Sequence, residues 1–224
     1  MSDLQVFQRD LGERRDALLD AMLDDVPFDG WTEMALKRAT GRLGLTYQEA
    51  ELAYPRGLRE IARNWSDRSD TEMLRRLDQK NLESMRIRDR IAAAVRVRIE
   101  VNFHRREALR RLIGWLAVPT NAPTAASNAA RTVNHMWYAA GDISADWNYY
   151  TKRGLLLPVY TSTVLYWLAD QADEDGDYPA TWSYLDRRID DVLKTFSTPR
   201  RIKSRIEGFL SGTVAQRRQH RRNT

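Results

Sequence analysis

Apolar side chains recur at intervals of three and four residues along most of this sequence, and that spacing constrains the fold more than any other feature. Ile87, Ile91, Val95 and Ile99, for example, stand four residues apart. Residues at this spacing share one face of an α-helix, whereas strands need an alternation of two. Only 11 glycines and 7 prolines interrupt the 224 residues. The sequence therefore predicts an all-α protein.

Capping residues, glycines and prolines predict where the helices begin and end. A first helix is expected over residues 4–23, with a break at 26–30 around Pro27. Thr32 is the expected N-cap of a second helix that ends near Gly44, and Leu45-Thr46 opens a short third helix. The two short helices together form a helix-turn-helix. Pro158 is expected to kink a strongly apolar helix. Longer helices are predicted from Leu58 onward and over 87–99, 106–118, 124–140, 146–171 and 178–196, with a last one from Pro199.

This layout divides the chain into a helix-turn-helix-like head (1–57), a helical body (58–198) and a basic amphipathic C-terminal helix and tail (199–224). It resembles the TetR-type regulators, which combine a DNA-reading head with a ligand-binding body. The third helix, however, carries Glu49 and Glu51 and no cation, although a recognition helix needs cations for phosphates. Nucleic acid is therefore not an expected partner. A ligand-responsive transcriptional regulator remains the alternative, because Lys37, Arg38 and Arg42 flank that helix.

The residue types needed for catalysis are scarce. The sequence has no cysteine and three histidines, which excludes disulfides, thiolate nucleophiles and zinc–thiolate sites. Neither a glycine-rich phosphate loop nor a nucleophile-elbow serine motif occurs. His135 is either a packed or surface histidine or a base without an evident partner. We expect no enzymatic activity, no metal and no cofactor. The arginines of the fifth predicted helix are expected to form a solvated face: Arg86, Arg88, Arg90, Arg96 and Arg98.

The net positive charge comes from the C-terminal segment. Residues 199–224 carry a charge of +7, which leaves −2 for the rest of a chain whose net charge is +5. Apolar residues recur among these cations at helical spacing, a pattern typical of helices that bind anionic membrane surfaces. Docking of the same stripe on the body or on a second subunit is the competing interpretation. The candidate membrane-contacting residues are Arg200, Arg201, Ile202, Lys203, Arg205, Ile206, Phe209 and Leu210.

An aromatic segment, residues 135–153, is the most unusual stretch of the body. Five aromatic residues fall within fourteen positions, and Trp147, Tyr149 and Tyr150 crowd into four. Consecutive helical residues point about 100° apart, so these rings cannot all enter one core. The rings either pack in the core or form a protein interface, and the residues alone do not decide between these two interpretations.

At this segment the sequence resembles the accessory lipid-binding proteins of ubiquinone (coenzyme Q) biosynthesis, the ninth Coq protein and its bacterial relatives. The resemblance covers residues 18–210 and has three supporting motifs in the same order. These are Val26-Pro27-x-x-Gly30-Trp31-Thr32, Leu43-Gly44-Leu45 and Pro119-x-Asn121-x-Pro123. The most specific motif is Met136-Trp137-x-x-Ala140-Gly141-Asp142-x-Ser144-x-Asp146-Trp147-Asn148-x-Tyr150-Thr151-Lys152-Arg153.

The resemblance implies a TetR-like fold without DNA binding, a homodimer, and an apolar cavity for an isoprenoid or other lipid. It further implies presentation of polyprenylated quinone precursors to a di-iron hydroxylase. The expected location is peripheral, on the inner face of the cell membrane or on the matrix side of the mitochondrial inner membrane. Tyr149 departs from the family, since animal members are expected to have Trp there. The partner-binding residues implied are Met136, Trp137, Gly141, Asp142, Trp147, Asn148, Tyr149 and Tyr150.

The body should also supply the lining of the lipid cavity. The predicted helix around Pro158 is apolar on most of its circumference, so it is either buried on most sides or lines a cavity. A hydrocarbon ligand needs no polar motif, which agrees with the lack of a recognisable site. The candidate lipid-binding residues are Leu112, Leu116, Val133, Met136, Leu156, Val159, Tyr160 and Leu165.

Overall fold

A computed structural model describes the backbone of residues 3–142 and 147–196, and the side chains of 10–142 and 150–194. These ranges contain helices joined by loops and no strand, which confirms the predicted all-α class. The helices are α1 (Asp3–Asp29), α2 (Glu33–Arg42), α3 (Tyr47–Ala53), α4 (Leu58–Asp78), α5 (Ile87–Glu100), α6 (Arg106–Leu116), α7 (Ala122–Ala139), α8 (Trp147–Ala169) and α9 (Pro179–Phe196).

The predicted break of the first helix at residues 26–30 is placed too early. Helix α1 runs through Pro27 to Asp29, and the Gly30 N–H donates to the Val26 carbonyl at 2.9 Å. Pro27 costs one helical hydrogen bond, but the fully buried Val26 holds this last turn against the head core. The chain turns instead at Gly30, whose φ of 72° is in the left-handed region that favours glycine.

The predicted N-cap Thr32 is confirmed, and Thr46, where the third helix was expected to open, is an N-cap as well. The Thr32 side chain accepts a hydrogen bond from Ala35 N, and that of Thr46 accepts one from Glu49 N. The Glu49 carboxylate accepts in return from Thr46 N at 2.8 Å, which completes a capping box. These bonds satisfy helix-terminal N–H groups that otherwise lack partners, so α2 and α3 begin where the sequence indicates.

The head shares its core with the body. Trp31 stacks on Trp65 of α4 with ring centroids 5.8 Å apart, and its indole N–H donates to the Leu58 carbonyl. Ala108 and Leu112 of α6 belong to the same cluster of buried side chains. The division at residue 57 therefore separates two sequence segments whose apolar side chains are buried together.

A second core lies between the C-terminal half of α4 and helices α5, α7, α8 and α9. Helix α8 is continuous from Trp147 to Ala169 through an exposed Pro158, and Trp167 at its C-terminal end is fully buried. The Arg106 and Arg110 guanidinium groups donate to the last carbonyls of α8, including that of Leu168. Cations at a helix C-terminus offset the partial negative charge of its unpaired carbonyls. In the described part of the chain no helix is long and apolar enough to cross a membrane.

The expected solvated face of arginines on α5 is wrong for Arg98. Its side chain is buried and pairs with the buried Asp70 at 2.7 Å. Arg88 donates to Asp190 of α9 at 2.8 Å, and Arg90 donates to the Ala140 carbonyl at the end of α7. Arg88, Arg90 and Arg98 therefore tie α5 to neighbouring helices, because each of these side chains reaches an acceptor outside α5.

Candidate functional site

A first cavity of about 300 Å³ lies between α4, α5, α6, α7 and α8. Four of the predicted lipid-binding residues line it: Leu112, Leu116, Tyr160 and Leu165. Its walls are mostly apolar, and Trp65 and Trp167 contribute large aromatic surfaces. A volume of this size is at the lower end of small-molecule sites, so it suits a ring or part of a longer chain.

A second cavity of about 300 Å³ lies between α5, α7, α8 and α9. Leu156 and Val159 line it, together with Trp137 of α7. The remaining two predicted lipid-binding residues, Val133 and Met136, are buried in the core and line neither cavity. The apolar residues of α8 thus face two separate spaces, with the N-terminal half on the second cavity and the C-terminal half on the first.

The first cavity has a polar wall that the sequence analysis missed. Arg98 lines the cavity, and its Nε donates to Asp70 Oδ1 at 2.7 Å. Asp70 is fully buried and also accepts from the Thr132 hydroxyl, at 2.9 Å and 3.0 Å to its two oxygens. Position gives the missing signal: Arg98 stands three residues after Val95, and Asp70 stands three before Met73, so each lies on the buried stripe of its helix.

Tyr160 of α8 joins this wall. Burial raises the pKa of its phenol, so its hydroxyl stays protonated at neutral pH. His135 Nδ1 lies 3.4 Å from Asp70 Oδ2, and a third of its side chain is exposed. The structure therefore gives His135 a carboxylate neighbour that the sequence did not indicate. In the described ranges no group of three or more His, Asp or Glu residues could hold a metal ion.

Inward-facing polar contacts hold the aromatic segment where α7 ends and α8 begins. The Asp142 carboxylate is nearly buried and pairs with Lys152 Nζ at 2.8 Å and with Arg153 Nη1 at 3.3 Å. The Trp137 indole N–H donates to the Lys152 carbonyl at 3.2 Å. Asp142 and Trp137 therefore position the segment, since their polar atoms bind neighbouring residues of the same chain.

Two tyrosines give the aromatic segment its exposed surface. Tyr138 is 73% exposed and Tyr150 is 70% exposed, so both rings face solvent. Tyr138 was not among the predicted partner-binding residues, although its place beside Trp137 in a crowded aromatic stretch could have indicated it. Gly141 is exposed between them with a φ of 86°, and Met136 is fully buried beneath. The side chains of Trp147, Asn148 and Tyr149 lie outside the described residues.

Residues 122–195 match the COQ9 family model. The resemblance to the COQ9 family is confirmed. The chain is 28% identical to the human protein named "Ubiquinone biosynthesis protein COQ9, mitochondrial" over 88% of its own length, and 26% identical to a probable Dictyostelium discoideum coq9 over 89%. It spans 63% of the human COQ9 sequence, just under two thirds.

The COQ9 match coincides with the elements that carry the site. It begins at the first residue of α7 and ends one residue before the end of α9. It thus contains the aromatic segment and the α8 residues of both cavities. Arg98 and Asp70 lie N-terminal to it, so the polar wall comes from α4 and α5.

The architecture has a solved counterpart. A TetR transcriptional regulator from Nitrosomonas europaea superposes with a TM-score of 0.66, covering 81% of this chain and 98% of the regulator. The two sequences share 20% identity, so the likeness shows the fold alone. This confirms the predicted TetR-like arrangement. The candidate membrane-contacting residues at 200–210 lie outside the described residues.

Proposed function

We propose that this chain is a lipid-binding accessory protein of ubiquinone biosynthesis. It holds a polyprenylated quinone precursor and presents it to a hydroxylase partner while resting on an anionic membrane surface. The first cavity carries this proposal, because it combines an apolar lining with one polar wall in a chain that resembles COQ9 proteins. Those relatives are named as ubiquinone biosynthesis proteins and as mitochondrial. A homodimer is part of the same proposal.

The energetics favour an apolar, chain-like ligand. Removing apolar surface from water gains about 25 cal/mol per Å², and this gain needs no directional contact. A 300 Å³ cavity holds the head and the first part of such a ligand, and a longer prenyl chain extends out of it. Handover to an enzyme then needs a partner surface on the protein. The aromatic segment supplies one on α7 and α8, the helices that also line the first cavity, and its Trp137 lines the second cavity.

Lipid extraction tests the proposal directly. The full chain is purified without detergent, extracted with organic solvent and analysed by mass spectrometry. We expect an isoprenoid or quinone in near-stoichiometric amount. The proposal is contradicted if the extract contains neither class of lipid, or no more of it than is recovered from an unrelated helical protein purified in the same way.

We expect the C-terminal cations to drive membrane contact. Replacing Arg200, Arg201, Lys203 and Arg205 with glutamate should abolish flotation with anionic vesicles, since each cation near such a surface contributes about 1 kcal/mol. Flotation of the unchanged chain should weaken as salt rises. The matched control replaces four cations beyond the apolar stripe: Arg217, Arg218, Arg221 and Arg222. Equal loss in both variants would show general charge attraction instead of an interfacial helix.

The exposed tyrosines should contribute most to hydroxylase binding. Tyr138→Ala combined with Tyr150→Ala should weaken association by at least tenfold, because exposed aromatic rings are frequent anchors of protein interfaces. Biolayer interferometry with the pathway's di-iron hydroxylase measures the change. Tyr47→Ala removes a ring of similar exposure from α3 of the head and should leave binding unchanged. Equal affinities of the hydroxylase for the unchanged chain, the double variant and Tyr47→Ala would show that the interface lies elsewhere on the protein.

The TetR-like head does not lead us to propose DNA reading. Helix α3 contains no cation, and its Glu49 is occupied by the capping box and by Arg14, 2.8 Å away. Phosphate contacts would have to come from residues outside α3. Salt-sensitive, sequence-selective retention of promoter DNA would favour the regulator instead.

A further inference from the structure

The polar wall of the first cavity presents donors without acceptors. Arg98 uses Nε for Asp70, and its two terminal nitrogens have no hydrogen-bond partner in the described part of the chain. The Tyr160 hydroxyl also has none among those residues. Both side chains line the cavity. We propose that Arg98 and Tyr160 form a head-group site for a neutral, oxygen-bearing ring, such as a quinone or phenol.

Four other polar side chains of the cavity already have hydrogen-bond partners. Ser69 donates to Asn102, and Asn102 donates to the Arg98 carbonyl. Thr132 donates to Asp70, and Thr161 donates to the Leu157 carbonyl of its own helix. A ligand oxygen placed against Arg98 and Tyr160 therefore gains hydrogen bonds that one placed against these four side chains does not.

The charge balance of the wall favours a neutral oxygen over a carboxylate or phosphate. Arg98 is neutralised by Asp70 at 2.7 Å, and the nearby Arg131 is neutralised by Asp67 at 2.6 Å. A second buried anion would find no uncompensated cation here, and burying it would cost more than its hydrogen bonds return. A carbonyl or phenol oxygen accepts from the same donors without that cost.

The surroundings suit a flat ring. Trp65 and Trp167 line the same cavity, and the Trp167 indole N–H is buried without an acceptor. Aromatic faces pack well against planar rings. The apolar side chains of α6, including Leu112 and Leu116, then receive the alkyl chain.

Calorimetric titration of the full chain with two probes tests this site, which rests on the proposed lipid carriage. The probes are a decyl-substituted benzoquinone and decylbenzene, which share the chain and differ in ring oxygens. Tyr160→Phe should weaken quinone binding about fivefold, the worth of one neutral hydrogen bond, and leave decylbenzene unchanged. Thr163→Val is the matched control, because Thr163 lines neither cavity and its hydroxyl donates to the Val159 carbonyl within α8. It should change neither affinity.

The outcomes separate the two proposals. If Tyr160→Phe lowers the affinity for both probes equally, or for neither, the head-group site is wrong but the proposed lipid carriage is not contradicted. If the unchanged chain binds neither probe, both proposals fall. Decanoate, titrated as a third probe, should bind more weakly than the quinone, and tighter binding would overturn the preference for a neutral oxygen. As a second variant, Arg98→Lys keeps the charge opposite Asp70 but loses the guanidinium donors, and it should also lower quinone affinity selectively.

Discussion

Replacing Asp70 with alanine is expected to lower the free energy of unfolding by about 3–5 kcal/mol, the usual cost of leaving a buried charge without its partner. Arg98 stays buried in the variant, and Thr132 loses the acceptor for its hydroxyl. A typical domain is stable by only about 5–15 kcal/mol, so the variant should lose a large fraction of its stability. Urea denaturation followed by circular dichroism measures the change.

An exposed ion pair supplies the control for Asp70. Asp186→Ala removes a carboxylate 3.3 Å from Arg88, but 55% of that side chain is exposed, and Arg88 keeps Asp190. Such pairs contribute about 0–1 kcal/mol. The double variant Asp70→Leu with Arg98→Met should recover most of the stability, because apolar residues often replace a buried pair without loss. A loss below 1 kcal/mol for Asp70→Ala would show that Arg98 can reach water.

The sequence was sufficient to predict the helices because their signals are local. Thr32 caps the helix that it was expected to cap, and the third helix opens at Thr46 as predicted, since capping bonds join residues three positions apart. The end of α1 was missed because Pro27 suggested a break. Burial of Val26 against the head core overrides that local preference, and residue type alone does not show it.

The candidate site was harder to predict because its residues come from five helices. Arg98 was assigned to solvent because arginine is seldom buried, although its position on the stripe of Val95 and Ile99 indicated the interior. Its partner Asp70 is on another helix, 28 residues earlier. The sequence predicts lipid-binding residues by their apolar character and helical spacing. That criterion also selects core residues such as Val133, and it cannot tell which of two cavities a side chain lines.

Blocking the first cavity gives the largest expected effect on lipid binding. Ala129 of α7 lines that cavity, so Ala129→Trp places an indole in the space proposed for the ligand. Lipid recovered from the purified chain, and affinity for the decyl-substituted benzoquinone, should each fall more than about tenfold, because overlap of ligand and side chain removes the site. The added ring costs at most about 1–3 kcal/mol if it crowds the core.

Two tryptophan controls separate blocking from general damage and one cavity from the other. Ala130→Trp adds the same ring at the next residue of α7, which is exposed, and should leave binding unchanged. Leu155→Trp places the indole in the second cavity, so this variant should still bind lipid in the first cavity. Loss with Leu155→Trp but not with Ala129→Trp would assign the lipid to the second cavity. Loss in neither would mean that lipid binds outside both. Because Arg98 and Tyr160 line only the first cavity, the variant that blocks binding also decides whether those two donors meet the ligand.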